Sequence, residues 1–193
     1  MRRVLVVHAS RHGGTAGIAE KIGAVLRADG VDAVVEPAAR MPDPSDFDAC
    51  VIGAGVYMGS WVKDGVDYLE RYAPRLAGRP VWLFSSGPLP GSSKEAVDAD
   101  DPYEGALGPA EGPGSGGRKK VEALSALFGP REHHVFQGAY DPKDPPKTIS
   151  ERLVRLMPAS KDILPPGDFR DWDAIAAWAH RIASEVAQPV PLG

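Results

Sequence analysis

Val4-Leu5-Val6-Val7-His8-Ala9-Ser10-Arg11-His12-Gly13-Gly14-Thr15 is an apolar run that stops abruptly in small, hydroxylated and glycine residues. Val4 to Val7 are apolar at successive positions, so both faces must be buried, as in a central strand of a parallel sheet. From Thr15 onward the period becomes helical, with Ile18, Ile22, Val25 and Leu26 on one face. The turn between them therefore lies at the carboxyl end of a strand and the amino end of a helix. Backbone N–H groups point outward there, and the helix dipole favours an anion. Gly13 and Gly14 let the backbone approach an oxygen closely, while Ser10 and Thr15 add hydroxyl donors. The stretch reads as a phosphate cradle, with a plain tight connection as the alternative.

The phosphate belongs to neither of two common nucleotide signatures. G-x-x-x-x-G-K-[ST] and G-x-G-x-x-G are both absent after the first strand. Gly112 to Gly117 has the Walker spacing, but Arg118-Lys119-Lys120 follows it and no strand precedes it. The pattern Ser10-x-x-Gly13-x-Thr15 instead resembles the loop by which flavodoxins hold the phosphate of FMN.

With 193 residues and 43% hydrophobic content, one ordinary domain is expected over residues 1–193. The formal net charge of −4 leaves no electrostatic footprint for nucleic acid. Arg2-Arg3 ahead of Val4 to Val7 mimics a signal peptide, but the apolar stretch is too short. It is also far below the ~18 apolar residues of a membrane span. A cytoplasmic protein is expected, and the single Cys50 agrees, since no intrachain disulfide can form. Cys50 sits in another buried-strand pattern, Ala49-Cys50-Val51-Ile52-Gly53, and is read as an inert core thiol rather than a nucleophile.

Further strands are predicted at Val31 to Glu36, after the helix-stopping Gly30, and at Asp48 to Gly53, Val81 to Ser86 and His134 to Gly138. Helices fall at Lys63 to Ala77, Arg118 to Phe128 and Trp172 to Ala187, the last burying Ile175, Trp178, Ala179 and Ile182 behind a cap at Asp171 or Asp168. Five strands interleaved with five helices give an α/β, doubly wound, five-stranded parallel sheet in the flavodoxin-like order 2-1-3-4-5. Ligands of such sheets lie beyond the carboxyl ends of the strands, so the loops after the first, third and fourth strands should converge.

Those loops suit a flavin. After the third strand, Gly53-Ala54-Gly55-Val56-Tyr57-Met58-Gly59-Ser60-Trp61 combines glycines with two aromatics and a thioether, and a planar ring wants flat apolar partners and backbone donors. After the fourth, Ser85-Ser86-Gly87-Pro88 is a tight polar turn. The candidate cofactor-binding set is thus Ser10, Arg11, His12, Gly13, Gly14 and Thr15, then Ala54, Val56, Tyr57, Met58, Gly59 and Trp61, then Ser86, Gly87 and Pro88. For Tyr57 and Trp61 the alternative is packing at the sheet edge, with Tyr57 the better candidate. No catalytic acid or base stands out, and no metal is expected.

Residues 48–61, the helix ending Tyr72-Ala73-Pro74-Arg75-Leu76, and the closing Phe169-Arg170-Asp171-Trp172-Asp173-x-Ile175-x-x-Trp178-Ala179 are similar to the flavodoxin-type, menaquinone-dependent protoporphyrinogen IX dehydrogenases. That resemblance implies FMN as cofactor, with electrons passing from protoporphyrinogen IX to a membrane quinone in haem biosynthesis. Ser10, Gly13 and Thr15 match the family's phosphate loop, Gly53 and Gly59 the loop after the third strand, and Ser86 the end of the fourth. His12 departs from the usual small or acidic residue. It either donates to phosphate or faces solvent, the second being favoured.

Two segments could serve a macrocyclic substrate. Pro90 to Gly117 is rich in Gly, Pro and acid, and is expected to be a mobile insertion. Asp141 to Pro166 carries Ile149, Leu153, Val154, Leu156 and Met157 beside Arg152, Arg155 and Lys161. It reads as a short basic amphipathic helix that packs on its own domain or touches a membrane surface or an acidic porphyrin. Three function classes follow: an FMN oxidoreductase acting on a small molecule and a quinone, an FMN electron carrier docking on a redox partner protein, and a binding domain without flavin.

Overall fold

A computed structural model describes residues 1–57, 59–87, 115–141, 143–147, 152, 156 and 166–188. Its elements are β1 (Arg3–Ala9), α1 (Gly14–Ala28), β2 (Asp32–Pro37), β3 (Ala49–Tyr57), β4 (Ser60–Trp61), α2 (Lys63–Leu76), β5 (Val81–Ser86), α3 (Ser115–Ala126), β6 (Glu132–Phe136), β7 (Ala139–Tyr140), β8 (Gly167–Asp168) and α4 (Trp172–Ala187). The five long strands pair in the order β2-β1-β3-β5-β6, all parallel. Leaving out the short β4, this is the expected 2-1-3-4-5 order.

Alternation along β1 explains the two layers. Leu5, Val7 and Ala9 join one apolar cluster with α2 and α3 residues such as Leu69, Tyr72 and Val121. Val4 and Val6 join the other, with Ile18, Ile22 and Leu26 of α1 and Ile175, Trp178 and Ile182 of α4. A strand buried on both faces has no polar side to spend, so the unbroken Val4–Val7 run is what this position requires. Asp171 caps α4, accepting from the N–H groups of Asp173 and Ala174 at 3.1 and 2.9 Å. Asp168 has a different role, described below.

Two expectations change. The sequence pattern interleaves five strands with five helices, but β2 reaches β3 through two 3-10 turns, Ala38–Arg40 and Pro44–Asp46. Carbonyls in and just after these turns find side-chain donors. The hydroxyls of Tyr68 and Tyr72 donate to Pro42 O and Met41 O at 3.0 and 2.8 Å, and Arg79 donates to Pro44 O and Phe47 O, both at 2.6 Å. Side chains of α2 and its exit thus do what a helix's own ladder would do. The second change is at the third strand, which does not stop at Gly53 but runs on to Tyr57. Residues 115–117, expected in a mobile insertion, are helical in α3, and the rest of that insertion lies outside the described residues.

Burial sets an acid limit on the fold. His8 and His134 are held below the ordinary value of 6.5 chiefly by desolvation, partly offset by Glu20 and Glu36 for His8 and by Glu132 for His134. The folded chain binds fewer protons than the unfolded one just below 6.5, so stability should fall with pH there. Asp48 and Asp168 are held below 3.8, mainly by hydrogen bonds from the Arg3 N–H and the Arg170 side chain respectively. Their contribution is present above 3.8 and lost as pH drops through the folded values. Melting curves should show two successive declines. A His8→Gln/His134→Gln variant should flatten the change between about pH 7.5 and 5.5 while leaving the lower decline intact.

Candidate functional site

The strand–helix turn carries the strongest anion-binding features. Gly13 caps α1 with φ 85, in the left-handed region open to glycine. Its carbonyl accepts from Gly17 N–H at 2.9 Å, closing the first turn. The helix starts with no side-chain cap and no acidic residue in its first turn. Beside it, the Ser10 hydroxyl is buried with no hydrogen-bond partner among the described residues. A buried hydroxyl left unmet costs about 1 to 3 kcal/mol, so a polar ligand atom reaching it would be stabilised. Thr15, itself buried, completes this wall.

The second wall is a hairpin rather than an open loop. β3 turns at Gly59, φ 72, and returns as β4, pairing Val56 with Trp61 and Tyr57 with Ser60. Ala54, Val56 and Tyr57 therefore lie within the strand, and Met58 lies outside the described residues. Gly55 brings the two walls together: a Cβ there would sit 3.1 Å from Thr15 Oγ1 and 3.3 Å from Tyr57 Cε2. The Arg11 guanidinium lies over the Tyr57 ring, 4.4 Å from its centroid. His12 does not face solvent. Its side chain is 13% exposed, its Nδ1 lies 3.8 Å from the Asp144 carboxylate, and its ring centroid is 6.3 Å from that of Tyr57.

Ser86 and Gly87 make a third wall. Ser86 is level with Gly55 on β3 and with Phe136 on β6. Gly87, φ 113, donates its N–H to Phe136 O at 2.9 Å. A Cβ at Gly138 would lie 3.7 Å from the Ser86 hydroxyl and from Gly87 N, which places Gly138 in contact range of this wall. Pro88 lies outside the described residues. Trp61 sits beneath the site at 2% exposure. Its indole N–H donates to Ser85 Oγ at 2.8 Å, and Ser85 is 2.8 Å from His133 Nε2, a buried polar chain that ties β4 to β5 and β6. Cys50 is in the core with burial raising its thiol to about 12, which leaves it protonated and inert.

Two groups at the loop escaped the residue-by-residue reading. Lys147 donates from Nζ to Arg11 O, and Arg170 donates from Nη1 to Gly14 O at 3.2 Å. Ala139 packs its backbone beside Gly14, 3.6 Å from where a Cβ would be. Only the closing motif around Arg170 carried any signal in the sequence, and that signal was a likeness, with no indication of contact. Of the stretch after β6, Arg152 and Leu156 are described, Leu156 at 80% exposure; Ile149, Leu153, Val154, Arg155, Met157 and Lys161 lie outside the described residues. Among the described residues no helix is long and apolar enough to cross a membrane.

A family model described as a flavodoxin domain matches residues 5–144. No curated protein matches. Among solved structures, oxidised flavodoxin 1 from Bacillus cereus is similar at 15% identity and TM-score 0.55, covering 94% of this chain and 97% of that one. A Streptococcus pneumoniae flavodoxin is similar at 18% identity and TM-score 0.55, with 96% and 97% covered. Rubredoxin oxygen:oxidoreductase from Desulfovibrio gigas is similar at 11% identity and TM-score 0.55, covering 96% of this chain but 36% of that protein.

Proposed function

The chain belongs to the flavodoxin domain family, and from that premise we propose that it oxidises protoporphyrinogen IX, or a related porphyrinogen, through bound FMN and hands the electrons to a quinone. FMN is the cofactor, consistent with a fold whose cradle is built for a single terminal phosphate. The observation that carries the reading is the buried, unpartnered Ser10 hydroxyl beside an uncapped helix start. Ser10, Thr15 and the first-turn N–H groups of α1 would take the phosphate, as an anion at that helix end is favoured by the dipole. Tyr57, backed by Arg11, offers a flat apolar surface next to that wall, and Ser86 and Gly87 offer backbone and hydroxyl groups. Bound FMN supplies the hydride and electron chemistry, leaving to the protein binding, orientation and electrostatics.

The finer part, the porphyrinogen and the quinone, is supported by the likeness of residues 48–61 and of the closing motif to that dehydrogenase family. The exposed Arg152 and Leu156 add a basic and an apolar group after β6, suited to an acidic macrocycle or a membrane-borne acceptor. The purified protein should show a flavin absorption spectrum, and the FMN-loaded form should turn over protoporphyrinogen with a quinone. Replacing Leu153, Leu156 and Met157 together by Ser should impair quinone use more than FMN binding. If the loaded protein exchanges electrons readily with small dyes yet leaves protoporphyrinogen at its uncatalysed rate with every quinone tried, the carrier reading, with a protein partner, replaces the dehydrogenase one.

A further inference from the structure

We propose that Arg170, reaching back from the segment before α4, sets the cradle's preference for a phosphate-bearing flavin over riboflavin; this rests on the FMN reading above. Arg170 lies outside the 5–144 stretch that the family match covers. Its guanidinium is held from three sides. Nε and Nη2 donate to Asp168 at 2.7 and 2.6 Å, Nη1 donates to Gly14 O at 3.2 Å, and the group lies 4.4 Å from the Trp172 ring centroid.

Three features indicate that this placement serves charge as well as packing. A Cβ at Gly17 would stand 2.5 Å from Arg170 Nη1, so the guanidinium lies directly against the bare backbone of α1 there. Glycine inside a helix costs about 1 kcal/mol relative to alanine, and here the vacated space is filled by a cation. A cation beside the positive end of a helix is disfavoured by the dipole unless an anion lies there too. No acidic side chain occupies that first turn. Asp168 pairs with the guanidinium from the more exposed side, at 45% exposure against 16% for the Arg170 side chain, so its share of the local field is the more screened by solvent. With Nη1 on Gly14 O, the guanidinium stands at the residue between Gly13 and Thr15 of the cradle, and a phosphate bound there would be a second anion beside it.

The test compares FMN with riboflavin, which is identical apart from the phosphate, in titrations of the full chain. Arg170→Gln should raise the FMN Kd about tenfold, the effect of one nearby unit charge on a doubly charged phosphate in a partly screened site. Riboflavin Kd should move less than about twofold, and Arg170→Lys should retain most of the FMN affinity. The FMN advantage in the unaltered protein should also shrink with added salt, and shrink less in Arg170→Gln. Equal weakening of both flavins would make Arg170 a packing residue only and overturn the proposal, as would no weakening of either. If the unaltered protein binds FMN well and only the variant comparison fails, the inference falls alone. If the unaltered protein binds neither flavin, the FMN reading falls and takes the inference with it.

Discussion

Replacing Gly53 by valine should destabilise the fold more than any other single change at a glycine of the sheet. Gly53 stands opposite Phe84 in the β3–β5 ladder, and a Cβ there would lie 2.1 Å from ring carbons of Phe84. The ring cannot step aside. Phe84 is fully buried and meets Trp178 and Phe136 edge-on at centroid distances of 6.2 and 6.1 Å. Overpacking of this kind costs typically about 1 to 3 kcal/mol, and a ring locked among other rings places Gly53→Val at or above the upper end. At about 2 to 4 °C per kcal/mol for a chain of this size, Tm should drop by roughly 6 to 12 °C. Adding Phe84→Leu should recover part of that loss, although Phe84→Leu alone is destabilising through the space it leaves. A Tm for Gly53→Val within about 2 °C of the unaltered protein would show that the aromatic cluster yields.

FMN affinity should collapse when the two hydroxyls of the cradle are removed. Thr15→Ala should cost about 1 to 3 kcal/mol, roughly fivefold to 150-fold in Kd, if its hydroxyl meets the phosphate. Ser10→Ala should cost a similar amount, since its buried hydroxyl has no other partner among the described residues. The two effects should not add fully, because both groups serve one ligand group. Circular dichroism should show both variants folded, and a Thr15→Ala protein that binds FMN as tightly as the original would remove Thr15 from the site.

The architecture and the strand–helix turn at Ser10 to Thr15 were legible in the sequence because their causes are local. Val4–Val7 must be a doubly buried strand, Thr15 to Leu26 keeps a helical period, and the glycines and hydroxyls between them sit where helix geometry leaves N–H groups unmet. What the period could not reveal was where β3 ends. Gly53-Ala54-Gly55 reads as loop by composition, yet neighbouring β1 and β5 continue beside it and their ladders hold it as strand through Gly55, Ala54 pairing with both Ala9 and Ser85. Trp61 reads equally as a flavin-facing aromatic or as packing at the sheet edge, and the hairpin it closes turns it onto Ser85 and His133.

The chain by itself determined the parallel sheet, its order, the glycine- and hydroxyl-rich turn between β1 and α1 and the inertness of Cys50, all of which follow from short-range period, turn chemistry and burial. Only the tertiary structure decided what surrounds that loop. Lys147 and Arg170 reach Arg11 and Gly14 across 136 and 156 residues of chain, and Tyr57 meets Arg11 because two parallel strands end side by side. Contacts at such separations leave no spacing in the sequence. They exist because packing the helices on both faces of the sheet brings its carboxyl edge and the segment before α4 to one place.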